Sequence, residues 1–548
     1  MESKKEQGFL QKLFSPKNMS EGTPWKRLAM FAIPQILGNF AQQLYNTVDT
    51  IVVGNSRWGY TALAAVGSSF PVLMVLMALF VGVATGTGIM VAQFFGARNK
   101  EGLGKTIANC TIMTIAVSLF IMIVGPFIVD PMLKAINTLP ELYDYCKTYL
   151  LISFLGIGGN FAYNIYGGML RGMGDSFSAL GFLLITTVLN IIGDLLLVER
   201  FGVAGVAFAT IFAQAVSAVL CIRKVLSLKQ YFTLTKKEWK PDGAYIKRII
   251  GLGIPSGITM GLSSISNLLV TRLINSFGDS MFIAANSLTM RVDGYAMMPT
   301  MSMGMAMSTF AGQNIGAGRM DRVKIGLRQC IFMSLGITAV MGPLVLMFGP
   351  NLLRLFTPEQ ALNDMTMGLI YIIAPTYVIN CISQPMMGVI RGAGDTISPM
   401  WMGIGTNIVL RLITAYGFVA LAKNAGATLW TQERMVFLSM VFGMVVNAII
   451  TFFLYKYGRW KNLRIMNFAG GPGRPGGPGG PGGPGGPKFP GAPGGGPGGP
   501  KFPGAPEGGE GPKFPGAPEG GEAPKFPGAP EAEEIPEASS VPEAQEHE

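Results

Sequence analysis

Gly167–Leu180 reads GGMLRGMGDSFSAL and Met387–Met400 reads MGVIRGAGDTISPM. The shared Arg-Gly-x-Gly-Asp-Ser/Thr element sets Arg171 against Arg391 and Asp175 against Asp395, each pair about 220 positions apart. Other landmarks keep that offset: VAQFFGAR around Gln93 and Gly96 answers FAGQNIGAG around Gln313 and Gly316, and AIPQILG at Pro34 answers GIPSGIT at Pro255. The chain is a duplication, and the repeated element reads as a tight turn. Its glycines let one helix end, its arginine suits a helix C-terminus, and its aspartate can cap the next helix.

What surrounds the turns is apolar. Of 548 residues 49% are hydrophobic and 13% charged, and the mean hydropathy is +0.41, too high for a water-soluble chain of this length. Runs long enough to cross a hydrocarbon core as helix, about 20 residues each, recur twelve times. They are Leu28–Val53, Ala62–Phe95, Thr106–Val129, Tyr145–Leu170, Ser178–Val198 and Val203–Leu226, then Ile246–Phe277, Phe282–Gly312, Ile325–Phe348, Met367–Ile390, Ser398–Leu421 and Met435–Tyr457. The expected fold is an all-α integral membrane protein, twelve transmembrane helices in two six-helix lobes. Because six is even, the lobes enter the membrane in the same sense and are related by a pseudo-twofold along its normal.

The expected organisation is a cytoplasmic N-terminal segment at 1–24, a first lobe at 25–226, a basic inter-lobe loop at 227–245, a second lobe at 246–468 and a disordered tail at 469–548. The breaks on the side of the termini carry most of the Lys and Arg. Those on the other side hold only Arg57, Lys134, Lys147, Arg200, Arg354, Lys423 and Arg434. Both termini are therefore expected in the cytoplasm, and no cleavable signal is evident in 1–24. The net charge of +11 is largely this topology signal, and no aromatic-basic module accompanies it to suggest nucleic acid. Five cysteines are scattered singly and the one histidine, His547, lies in the tail, so neither a disulfide framework nor histidine-dependent catalysis is implied. With no histidine within the apolar spans and no Walker motif, an enzyme is not expected.

Ionisable residues inside apolar spans cost about 2.5–3.5 kcal/mol each, so each calls for a partner or a purpose. Asp49 lies late in the first span and Asp194 late in the fifth. Asn190 stands one helical turn before Asp194 on the same face, and Thr210 follows in the sixth span. Two acids with an amide and a hydroxyl make a small oxygen site suited to H+ or Na+. In the second lobe Val270 answers Asp49 and Arg411 answers Asp194, so the lobes differ in charge; the second holds Arg272, Arg291, Asp293 and Arg411. Gln43, Asn46, Arg272, Met301, Met305 and Arg411 are candidates for the wall of a substrate cleft, and Pro34 with Gly38 for a hinge in the first helix.

QLYNTVDTIVVG, GMLRGMGDS, LNIIGDLLLVERFGVAGVAFAT and GVIRGAGDT, in this order, resemble the multidrug and toxic compound extrusion (MATE) family over about Trp25 to Arg464. The resemblance is nearest to its DNA-damage-inducible-like branch, because the acids sit in the N-terminal lobe. With the missing signal it implies a bacterial, monomeric antiporter of the plasma (inner) membrane without a cofactor, exporting cationic or amphipathic small molecules in exchange for H+ or Na+. In that branch, residues matching Asp49, Asp194, Asn190 and Thr210 form the coupling site. A flippase for a lipid-linked or anionic precursor on a related fold is the alternative. From Ala469 the composition turns to Gly, Pro and Glu with KFPGAP repeated at Lys488, Lys501, Lys513 and Lys525, an extension expected to be disordered, with a partner unknown.

Overall fold

The computed structural model describes residues 14–136, 138–354 and 357–463. Most of the N-terminal segment and the Gly/Pro/Glu tail lie outside the described residues. The first lobe contains α1 (Pro24–Gly54), α2 (Gly59–Gly96), α3 (Lys100–Ala135), α4 (Pro140–Leu155), α5 (Ile157–Gly172), α6 (Ser176–Phe201) and α7 (Val203–Ser227). The second contains α8 (Gly243–Asn275), α9 (Ser280–Gly316), α10 (Met320–Arg354), α11 (Gln360–Ile373), α12 (Pro375–Gly392), α13 (Ile397–Gly403), α14 (Arg411–Asn424) and α15 (Leu429–Tyr457). A π-helical segment, Ile404–Leu410, joins α13 to α14.

Three of the twelve spans are not the single regular helices expected. The fourth breaks at Gly156 into α4 and α5. The tenth bends by 44° between α11 and α12, where Pro375 has no N–H to donate and disfavours helical geometry in the residue before it. The eleventh contains the π turn. Among the described residues eight helices are long and apolar enough to cross a membrane, and the bent pair makes a ninth. Helices α1 and α9 have the length, 31 and 37 residues, but too many polar groups to pass as simply apolar: Gln35, Asn39, Gln42, Gln43, Asn46 and Asp49 on α1 alone. A span that polar is suited to a protein-lined cavity rather than to lipid.

Those polar helices sit where the lobes meet. Helix α2 packs along α8, and α9 packs on both α1 and α2. The α2–α8 approach is close because it is made of glycine: a Cβ on Gly86 would lie 2.7 Å from the backbone N of Gly253. Between α1 and α9, Asn39 Nδ2 donates to Ser302 Oγ at 2.9 Å and Phe40 stacks on Tyr295.

The duplicated turn is built alike in both copies. Gly174 (φ +83°) and Gly394 (φ +93°) take the left-handed conformation that ends a helix. Asp175 Oδ1 accepts from Ser178 N at 3.0 Å and Asp395 Oδ1 from Ser398 N at 3.1 Å, capping α6 and α13, and the same serines' hydroxyls donate to Oδ2 at 2.7 Å in each copy. Lys224 and Arg459 supply the countercharges.

The turns also join the lobes. Gln93 Nε2 of the first lobe donates to Gly392 O of the second at 2.8 Å, and Gln313 Nε2 of the second donates to Gly172 O of the first at 2.9 Å. Both glutamines are buried. The stretch before α1 reinforces this face. Phe14 packs edge-on against Phe177 and its carbonyl accepts from Lys224, while Met19 is fully buried in the second lobe's core with its N–H donating to Gln313 Oε1 at 2.7 Å.

Candidate functional site

The first lobe brings its candidate residues together. Asn190 and Asp194 share the buried face of α6, and Asn190 Nδ2 donates to Thr210 Oγ1 on α7 at 3.3 Å. Asp49 reaches in from α1, half-buried, so that its carboxyl and that of Asp194 lie within hydrogen-bonding reach of each other. Among the described residues neither oxygen of Asp194 has a donor, and Asp49 Oδ1 and Asn190 Oδ1 have none either.

Two carboxylates facing in a low dielectric without donors cannot both stay charged. A shared proton or a bound cation resolves the conflict. The carboxyl oxygens, Asn190 Oδ1 and the Thr210 hydroxyl are hard donors, the set that suits H+ or a monovalent alkali ion rather than a soft metal.

Two tyrosines belong to this cluster and escaped the sequence reading. Tyr45, one turn before Asp49 on α1, lies against Thr210 and near both acids, and the buried Tyr149 of α4 faces the same pair. The i, i+4 spacing of Tyr45 to Asp49 was a usable signal. Tyr149 had none, since an aromatic in an apolar span is ordinary.

The remaining candidates are spread out. Gln43 is half-buried and Asn46 exposed on α1, outside the acid cluster. Pro34 is buried within an α1 that continues past it, with Gly38 one turn on beside Leu180 and Leu183. Met301 and Met305 share an exposed face of α9, at 54% and 42%, whereas Met303 between them is fully buried. Arg272 is exposed near the end of α8.

Arg411 turns inward instead. Its Nη1 donates to Asn267 Oδ1 at 2.9 Å, with Ser266 Oγ at 3.4 Å. It lies within electrostatic reach of Asp293 on α9, which stands beside Tyr377 of α12. Asp293 is thus part of a cluster drawn from α8, α9, α12 and α14.

Known proteins share this architecture. The MatE family model matches the chain twice, over residues 34–196 and 255–417, repeating the offset of the duplicated turns. The probable multidrug resistance protein YoeA of Bacillus subtilis (strain 168) is 28% identical over 395 residues, 70% of this chain and 85% of that protein. YpnP of the same organism, also a probable multidrug resistance protein, is 26% identical over 455 residues, 82% and 98% of the two chains. Among solved structures, MATE in the straight conformation superposes with a TM-score of 0.74 at 24% identity, covering 81% of this chain and 98% of its own. An outward-facing multidrug resistance MATE family transporter of the MOP superfamily gives 0.73 at 24% identity, covering 82% and 98%. With more than half of its length matched by the family model in two copies of one six-helix unit, the chain belongs to the MatE family of multidrug efflux transporters.

Proposed function

We propose that the protein is a cation-coupled antiporter of a bacterial plasma membrane, acting as a monomer without a cofactor, that exports organic cations and related amphipathic compounds by alternating access. We assign it to the DNA-damage-inducible-like branch, on the placement of its acids. The observation that carries the reading is the facing pair Asp49 and Asp194, one acid on the buried face of α6 and one on the polar α1 at the lobe junction, with neither Asp194 oxygen nor Asp49 Oδ1 bonded to a donor among the described residues.

Arrival of H+ or Na+ removes the repulsion between the carboxyls and lets α1 settle against α6. Departure of the ion pushes them apart. Because α1 also touches α9 through Asn39 and Phe40, that movement reaches the second lobe. The reciprocal glutamine contacts hold the lobes together on the face carrying the described N-terminal stretch, so this face is the closed gate and the cleft opens on the other. With both termini cytoplasmic, this is the outward-open state.

Efflux of a cationic dye under separately imposed proton and sodium gradients, for wild type and Asp194→Asn at matched membrane levels, tests the reading. Gradient-driven efflux in wild type should vanish in the variant. Full gradient-dependent efflux by the variant removes the coupling site. If wild type moves no dye under either gradient, a flippase for a lipid-linked precursor takes the place of the antiporter.

A further inference from the structure

We propose that residues 14–23 form a clasp across the two lobes, seated in the second lobe at Met19 and tied to the first by Glu21 on Arg98, and that this clasp sets how readily the closed face opens. The inference rests on the alternating-access reading and adds to it the element that governs one of its gates.

The seat in the second lobe is a set of main-chain bonds around one buried side chain. Met19 lies in the apolar cluster of Met307 and Phe310 of α9 and Val323 of α10. Its carbonyl accepts from Asn314 Nδ2 at 3.3 Å and from Arg322 Nη2 at 3.2 Å. The same Nη2 donates to Gly22 O at 3.0 Å, and Arg319 Nη1 donates to Ser20 O at 2.6 Å. Arg322 is aimed by Asn314 Oδ1, which accepts from its Nε at 3.0 Å. A stretch with no helix of its own must find partners for its carbonyls elsewhere, and this one finds most of them on the second lobe.

The ties to the first lobe lie on either side of that seat. Before it, Phe14 packs on Phe177 and its carbonyl accepts from Lys224, and Lys17 runs so close to Gly174 that a Cβ there would collide with Lys17 O. After it, Glu21 forms an ion pair with Arg98, in the turn between α2 and α3.

Arg98 is the residue that sets this pair apart. At φ +56° it is the one non-glycine residue in the left-handed region among the described residues. The duplication puts Gly318 (φ +73°) at the same point of the second lobe, 220 positions on. That conformation is strained for an L-residue and free for glycine. The first lobe thus keeps a strained arginine where its twin has the unstrained residue, and what the arginine adds is a guanidinium on Glu21.

For this face to open the lobes must part, and a stretch held by both has to leave one of them. The seat is buried, whereas Arg98 and Glu21 are 76% and 49% exposed. An exposed pair is the tie that breaks most easily, so it is placed to act as the catch.

Ala92→Cys, buried beside Gln93, reports opening through its rate of reaction with a maleimide in inside-out membrane vesicles, against five native cysteines that are buried. The readout needs no transport, and gradient-driven dye efflux is measured alongside it. In that background Arg98→Gly should hold or raise thermal stability, because the strain is gone, and still speed labelling about two- to fivefold, the range of an exposed ion pair. Glu21→Gln should speed it by the same factor without a gain in stability, and the two changes together should act no more strongly than either alone. Arg322→Gln, which strips the seat, should speed it by at least about tenfold. Lys100→Gln, an exposed cation two residues from Arg98, should leave it unchanged. Arg98→Gly labelled at the wild-type rate overturns the clasp, and so does acceleration by Arg98→Gly that Glu21→Gln does not share. With wild-type efflux following the gradient, either result leaves the transport reading standing. Labelling absent in every background, with no efflux under either gradient, overturns both.

Discussion

The two lobes repeat one backbone and differ in what they bury. Their turns agree in detail: a left-handed glycine, an aspartate cap with a serine three residues on, a basic countercharge, and a glycine carbonyl accepting from the other lobe's glutamine. Their interiors do not agree. The first holds two facing acids with Asn190, Thr210 and two tyrosines, and the second Asp293 beside Tyr377 and Arg411 bonded to Asn267. Symmetry has been kept where the lobes meet, and lost among the charged groups they bury.

The largest effects should fall on one side of that divide. Asp194→Asn and Asp49→Asn should each abolish gradient-driven efflux, because either change leaves a single carboxyl that no longer needs a cation. Arg411→Gln should leave the dependence on the gradient intact and alter only which substrates move. If Arg411→Gln uncouples transport as fully as Asp194→Asn does, the division of labour between the lobes is wrong.

The symmetric part should respond symmetrically. Gln93→Ala and Gln313→Ala each strand a buried carbonyl of the opposite lobe. That costs the closed state about 1–3 kcal/mol, roughly a 5- to 150-fold shift in population. Ala92→Cys, buried behind this contact, should react with a maleimide faster in either background, against five native cysteines that are themselves buried. Acceleration by one glutamine variant only would show that the two contacts are not equivalent.

Most of this architecture was legible in the chain because its signals are local. Apolar runs, basic breaks and a repeated turn fix a duplicated bundle, and an aspartate within such a run announces itself. Tyr149, Tyr377 and Asp293 take their meaning from other helices. The π turn before Arg411 shifts the helical phase, so counting along the sequence misplaces that side chain. The polarity of α1 and α9 was visible residue by residue, but only packing shows that their shared place is the junction.

Removing a cap should matter less than opening the gate. Asp175→Ala and Asp395→Ala each lose the side chain that accepts from a serine N–H and hydroxyl, at about 1 kcal/mol apiece. The partner Arg459 is more than half exposed, so its ion pair should add little to the second cost. Thermal unfolding of the two variants should therefore shift by similar small amounts. A much larger drop for Asp395→Ala would assign Arg459 a structural role beyond a countercharge.

The smallest effect tests the hinge. Pro34 in α1 and Pro255 in α8 occupy equivalent places, and each withholds the N–H that would bond the carbonyl four residues earlier. In α8 that carbonyl, Gly251 O, lies 3.5 Å from the Thr396 hydroxyl of the second turn, and Thr259 one turn after the proline bonds back to Pro255 O at 2.8 Å. Helix α1 has Gly38 where α8 has Thr259, so it lacks that side-chain bond, and it is the one carrying an acid. A Cβ on Gly38 would meet Leu183 and Leu180 at 3.6 and 3.7 Å, ordinary contact distances. Gly38→Ala should therefore raise helix stability by up to about 1 kcal/mol without a clash. If α1 bends here during transport, the same change should slow efflux a few-fold while thermal stability holds or rises. Unaltered efflux with higher stability would move the hinge elsewhere, and a loss of both would mean that Gly38 serves packing after all.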